Sequence, residues 1–168
     1  MNADIKTERL LLAPLQIEDS SLFHEINIDS YVKKYLWDDE NISLETVADI
    51  LENNQRQFKK ENCGLWKVTT KESNAVIGYT GLWYFFDESQ PQLIYVLLKP
   101  YTGKGYASEA ASAIIDYAFN KLDFTYIIAS TDASNFSSQR LAMRLGMELS
   151  ENKTVDGKPT LFYKISRD

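Results

Sequence analysis

The chain has one cysteine and one histidine in 168 residues, and each shortage removes a class of chemistry. Cys63 alone cannot close an internal disulfide, and together with His24 it supplies too few soft ligands for a zinc site of the usual kind. No metal is therefore expected. Cys63 lies beside Leu65-Trp66, with nothing nearby that would obviously lower its pKa, and reads as a small apolar filler. Such sparse cysteine fits a reducing, cytoplasmic setting. Basic residues are also short: 18 Lys and Arg against 24 Asp and Glu give a net charge of −6. That excludes a nucleic-acid binder relying on a broad basic face, and a protein held electrostatically on anionic membranes. Long apolar runs are missing too, since Leu93–Leu98 and Leu82–Phe86 are six and five residues long. The opening Met1–Thr7 carries both charge signs without an apolar core, unlike a secretory signal.

What is present is a chain rich enough in apolar (44%) and aromatic (12%) residues to fold around a core. No linker, repeat or low-complexity tract interrupts it, so residues 1–168 are expected to form one domain. Arg9–Leu12 reads as a first strand. Helices follow around Leu22, Phe23 and Ile26, and after Ser43, where Leu44, Val47, Ile50 and Leu51 recur at helical spacing. An aromatic, acidic stretch from Tyr31 to Glu40 separates them. Leu65–Thr70, Ala75–Trp83 and Leu93–Leu98 are β-branched and aromatic, with turn residues between them, and read as consecutive antiparallel strands. A helix over about 107–121, a strand at Thr125–Ser130 and a short helix over 137–145 come next, the last closed by Gly146. Two strands flank the Asp156-Gly157 turn. The order predicts an α/β (α+β) fold, a mixed but mostly antiparallel sheet of about six to seven strands with helices on both faces.

The segment from Leu97 to Ala110 carries the chemistry. A strand runs into Gly103-Lys104-Gly105, and a helix begins at once with Tyr106-Ala107-Ser108. Glycines permit positive φ and bring successive N–H groups toward a ligand, while the helix start adds unsatisfied donors and the positive dipole end. A tight strand-to-helix turn would use the same residues, but the arrangement suits a pyrophosphate. A P-loop is excluded because Tyr106-Ala107 follow the second glycine in place of Lys-Ser/Thr. The dinucleotide fingerprint fails as well, because position 108 is Ser and the preceding strands are antiparallel.

This segment resembles motif A of the GNAT N-acetyltransferase superfamily. Thr7–Leu12, Ile77-Gly78 with Gly81-Leu82, and Asn135–Arg140 with Leu145–Met147 resemble further motifs of its ribosomal-protein (alanine/serine N-terminal) acetyltransferase branch, in order, over about residues 5–166. The resemblance implies acetyl-CoA as co-substrate and a primary amine as acceptor, either a protein N-terminus or a small molecule. It implies that the strand at Tyr95–Leu97 splays from its neighbour, with Val96, Leu97 and Leu98 pairing to the pantetheine arm as an added strand would. Gly103, Lys104, Gly105, Tyr106, Ala107 and Ser108 would take the pyrophosphate, the Lys104 side chain being either an added charge or a solvated loop lysine. Asn135 would bond the cofactor arm and Ser138 would donate a proton to the departing sulfur. Asn135 and Ser138 also suit a plain helix start.

Four positions depart from the family pattern: Gln92 where Glu is common, Pro100 where Gln or Arg is common, Ala142 where a tyrosine acid stands in other branches, and Ala13 in place of Arg. The base candidates that remain are Asp87, Glu88 and His24, with a water chain as the alternative. Tyr31, Tyr35 and Trp37, and Trp83–Phe86, are candidates for walls of an acceptor pocket, where aromatic faces attract cations. Without an evident nucleophile–base pair, attack by the amine is expected to be direct. A non-catalytic acetyl-CoA-binding domain is the alternative. No nucleic acid or membrane partner is expected, and a homodimer is left open. The acid surplus suits a cationic acceptor, because it cannot recruit the polyanionic cofactor.

Overall fold

The computed structural model describes residues 3–85 and 88–168. Its strands are β1 (Ile5–Lys6), β2 (Leu10–Pro14), β3 (Leu65–Thr70), β4 (Val76–Trp83), β5 (Gln92–Leu97), β6 (Tyr126–Asp132), β7 (Glu148–Val155) and β8 (Lys158–Ser166). Its helices are α1 (Ser20–Ile28), α2 (Ser30–Leu36), α3 (Leu44–Glu61), α4 (Tyr106–Asn120) and α5 (Phe136–Arg144). The α/β class and antiparallel pairing are as expected. The strands form two sheets, β1-β2-β3-β4-β5 and β6-β8-β7, with antiparallel pairing throughout the described ladders.

Two apolar clusters pack on the larger sheet. One joins Leu10, Leu12, Trp66 and Val68 to Ala110, Ile114 and Ala118 of α4. These three helical positions recur every four residues, and the two alanines let the helix lie close to the strands. The other cluster joins Leu15, Leu65 and Tyr79 to Phe23, Ile26, Val47 and Leu51 of α1 and α3. A bulge links the two sides: Val68 pairs with Gly78 and Thr69 with Val76, leaving Ile77 as an extra residue. One inserted residue reverses the alternation. Ile77 thus packs on the α4 side and Tyr79 on the α1–α3 side.

Buried amides fix the helices. Asn54 Nδ2 donates to Leu15 O and Leu65 O, and its Oδ1 accepts from Leu65 N at 2.7 Å. Asn27 Oδ1 accepts from Trp37 Nε1 and from Tyr79 Oη, while its Nδ2 donates to Phe23 O. Each amide is fully buried and satisfied, so it specifies one packing arrangement. Helix α2 lies in the stretch read only as aromatic and acidic, and it starts where Asp29 Oδ1 accepts from Tyr31 N and Val32 N. Among the described residues, no helix is long and apolar enough to cross a membrane.

Candidate active site

Strands β5 and β6 run side by side in the same direction, and among the described residues they share no ladder. Among the described residues they are tied at one end. Gln90 Nε2 donates to Tyr126 O at 2.7 Å, and Ser130 Oγ donates to Gln92 Oε1 at 2.9 Å. Beyond Gln92 the edge of β5 is unpaired. Leu98 N donates to Ile77 O at 2.9 Å, so antiparallel alternation turns the N–H and C=O of Leu97 and Tyr95 away from β4, toward β6. A cavity of about 910 Å³ opens here, within the size range of small-molecule sites. Val96, Leu97, Gly103, Gly105, Tyr106, Ala107 and Ser108 line one side, and Asn135 and Ser138 the other. Leu98 and Lys104 do not line it. The Leu98 N–H is spent on Ile77, and Lys104 Nζ lies 6.0 Å from the Tyr101 ring centroid.

Gly103 and Gly105 have φ of 76° and 83°, a sign that L residues adopt only at a cost. A Cβ on Gly103 would meet nothing within 4 Å, whereas one on Gly105 would lie 3.2 Å from Arg9 Nη2. Gly105 is the N-cap of α4, no side chain caps that end, and the first bond into the helix runs from Glu109 N to Gly105 O. The N–H groups of Tyr106, Ala107 and Ser108 thus have no intrahelical acceptor. They form a donor cluster at a positive helix end, facing the cavity that their own residues line.

A brace behind this loop was not foreseen. Arg9 Nε donates to Glu109 Oε1 at 2.7 Å, Arg9 Nη1 donates to Lys104 O at 2.9 Å, and the guanidinium lies 4.4 Å from the Tyr106 ring centroid. Glu109 Oε2 also accepts from Arg9 N at 2.8 Å and from the Thr7 hydroxyl. Partial burial works to raise the Glu109 carboxyl, but these hydrogen bonds outweigh it and hold it below the usual range. Bonding to Glu109 raises Arg9. Thr7 and Arg9 stood in a motif of the resemblance, and Glu109 three residues into the helix, so the sequence held the parts without the pairing.

At the opposite wall, Asn135 Oδ1 accepts from Ser138 N at 3.2 Å, which is the helix-start role. Its amide nitrogen is what remains to donate. Ser138 Oγ donates to Tyr95 Oη at 3.2 Å, and Tyr95 Oη donates to Ser138 O at 3.1 Å. Burial raises the Tyr95 phenol, and the bond to Ser138 works against that rise. Sequence reading gave Tyr95 no role; its signal was its place on the strand that splays. Ala142, one turn beyond Ser138, is buried. Gln92 is buried as well and does not line the cavity, and its Nε2 has no hydrogen-bond partner among the described residues. It ties β5 to β6 and stands away from the reacting end.

The base candidates fare unevenly. His24 Nε2 lies 3.0 Å from Ile42 O, joining α1 to the segment before α3, and does not line the cavity. Glu88 is exposed and also outside the lining, and Asp87 lies outside the described residues. Carboxylates that do line it are Asp38, Asp132 and Asp156. Lys158 Nζ pairs with Asp38 Oδ1 and lies 3.5 Å from Asp132 Oδ2, bridging the segment after α2 to the end of β6. Of the aromatic candidates, Tyr31, Tyr35 and Phe85 line the cavity, Trp37 serves the Asn27 network, and Phe86 lies outside the described residues. Tyr84 donates to Glu61 and is pushed up to about 12, by burial first and then by Glu61. Arg140 and Arg144, one turn apart on α5, add positive charge to the lining.

The family model for the acetyltransferase (GNAT) domain matches residues 9–148. The chain belongs to the GNAT acetyltransferase family. This GNAT protein is 32% identical over 143 residues to the uncharacterized N-acetyltransferase YnaD of Bacillus subtilis (strain 168), covering 85% of this chain and 81% of that protein. A GNAT-family acetyltransferase from Bacillus anthracis superposes with a TM-score of 0.81 at 27% identity, covering 97% and 98% of the two chains. RimL, a ribosomal L7/L12 alpha-N-protein acetyltransferase solved with coenzyme A, shares the fold at a TM-score of 0.82 and 14% identity, covering 97% of each chain. This GNAT domain is accordingly an acyltransferase by family; of the four positions that depart from the family pattern, Gln92 and Ala142 are buried, Ala13 is half-buried and Pro100 is exposed.

Proposed function

We propose that the protein transfers the acetyl group of acetyl-CoA to a primary amine by direct attack, the acceptor being a protein N-terminus or a small molecule. The observation that carries this reading is the unpaired edge of β5 leading into two left-handed glycines and an uncapped helix N-terminus, all on one cavity. The residues present fit the co-substrate. Backbone N–H groups from Gly103 to Ser108 offer neutral donors to a pyrophosphate, which an acidic chain needs. Arg140 and Arg144 add compensating charge. The edge of β5 at Tyr95 and Leu97 offers peptide groups to an amide-bearing arm, in the manner of strand addition, whereas those of Val96, like the Leu98 N–H, face β4. An N–H on that edge also suits the oxygen that becomes anionic as the amine attacks.

Ser138, on the facing wall, takes the leaving-group role in this reading, with Asn135 beside it as a donor to the arm. Tyr31 and Tyr35 give the lining aromatic faces, which suit a cationic acceptor, while Asp38 and Asp132 share Lys158. With both carboxylates so engaged, the ammonium proton leaves through a water chain. Calorimetry with CoA and with ATP tests the ligand: the reading expects CoA to bind and ATP not to compete. Free-thiol release from acetyl-CoA over a panel of primary amines and short peptides tests the reaction. Tight CoA binding with no amine acetylated would instead support a non-catalytic CoA-binding domain.

A further inference from the structure

Tyr95 and Ser138 reach across the cleft from different sheet and helix elements, and they contact each other twice. The phenol hydrogen goes to the main-chain oxygen of Ser138 at 3.1 Å, and the Ser138 hydroxyl hydrogen comes back to the phenol oxygen at 3.2 Å. The first contact fixes the opening turn of α5, and the second fixes the side-chain rotamer of Ser138. Both residues line the cavity. Ala142, the next position on that face of α5, has no polar group with which to do the same.

We propose that Tyr95 is a positioning residue for the leaving-group end of the site, holding the Ser138 hydroxyl where it meets the departing sulfur. The inference rests on the acetyl-transfer reading above. Tyr95 is not the proton source, since its own hydrogen is committed to a carbonyl. A thioester sulfur is a poor hydrogen-bond acceptor and a thiolate a strong one. The Ser138 hydrogen therefore rests on Tyr95 Oη before reaction and swings to sulfur as negative charge develops there, an interaction gained only in the transition state. As the C–S bond breaks, its electron pair goes to sulfur and Ser138 Oγ gives that sulfur its proton. Ser138 recovers a proton, through solvent, from the nitrogen that has formed the amide bond.

The test uses CoA as the probe and needs no acceptor. The thiol of bound CoA is titrated by its ultraviolet thiolate absorbance in the wild type, in Tyr95→Phe, in Ser138→Ala and in the double variant. Ser138→Ala should move that titration up by roughly one pH unit, the loss of one hydrogen bond to a charged group. Tyr95→Phe should move it up by about half as much in the wild-type background and not at all in the Ser138→Ala background. With the fastest acceptor found, Tyr95→Phe should lower kcat about tenfold and leave KM for acetyl-CoA within about twofold. Ser138→Thr keeps the hydroxyl and should keep the sensitivity to Tyr95→Phe, which guards against misreading a packing defect. Equal shifts from Tyr95→Phe in both backgrounds, or none in the wild type, would overturn the inference while leaving the acetyl-transfer reading intact. An unchanged titration in Ser138→Ala would remove Ser138 from the leaving-group role and the inference with it, and no binding of CoA would remove the acetyl-transfer reading as well.

Discussion

Arg9 and Glu109 form an ion pair at 2.7 Å across 100 residues of chain, and the same arginine holds the carbonyl of Lys104 between the two cavity glycines. Arg9, just ahead of β2, therefore braces the glycine loop from behind, and the loop's free N–H groups are presented by a fixed frame. Preorganised donors bind an anion without first having to be ordered.

Glu109→Gln should loosen this frame. CoA affinity is expected to fall about tenfold, roughly the loss of one charge-assisted hydrogen bond, with the fold retained. Calorimetry on the two proteins checks it. The pH dependence follows from the lowered Glu109 carboxyl. A depressed acid contributes stability above its unfolded value and loses it as pH falls through the folded one. Thermal midpoints should therefore decline more steeply in the wild type than in Glu109→Gln once pH drops below about 4.

Gly105→Glu should weaken CoA binding strongly, because the position has a φ of 83° and the new side chain would start 3.2 Å from Arg9 Nη2 and disturb the brace that holds the loop's donors in place. Gly103→Ala meets nothing and should cost only its backbone sign, about 1 kcal/mol. Unchanged CoA affinity in Gly105→Glu would remove the loop from the binding site.

Gln92→Glu should not restore a catalytic base, since the side chain is buried and lies off the cavity. It should destabilise the fold by roughly 2–4 kcal/mol above neutral pH, the charged form being the one penalised by burial. The sign is distinctive. A buried acid with a raised folded value loses stability as pH rises, so the deficit should shrink toward acid. Thermal denaturation at acidic and neutral pH reads it.

Cys63 should resist thiol reagents at neutral pH until the protein unfolds. Burial pushes its thiol up to about 11, with Gln57 opposing and Glu61 adding to the rise, and its side chain is 1% exposed. Labelling that tracks global unfolding in denaturant would agree. Rapid labelling of the folded protein would not.

Local features were legible in the sequence and non-local ones were not. The stripe of Ala110, Ile114 and Ala118 and the alternation through Leu10 and Leu12 each announce an element within a few residues. Helix α2 was missed because Ser30–Leu36 is seven residues long and shows no clean apolar stripe; Asp29 as its cap was the available sign. The loop glycines were legible because their neighbours belong to the same short segment. The Arg9–Glu109 brace, the Ile77 bulge and the Tyr95–Ser138 contact join residues that only the pairing of distant strands brings together. Gln92 shows the reverse limit. Its residue type marked it as an absent base, whereas its burial shows it to be a tie between β5 and β6.

The most direct measurement is simultaneous assay of free CoA thiol and acetylated amine, on a panel of primary amines and short peptides given acetyl-CoA. The account predicts at least one acceptor for which thiol and amide appear in equal amounts, at a rate that falls as salt screens a cationic acceptor from the chain's net charge of −6. Tight binding of acetyl-CoA with no acetylated amine across the panel would contradict it.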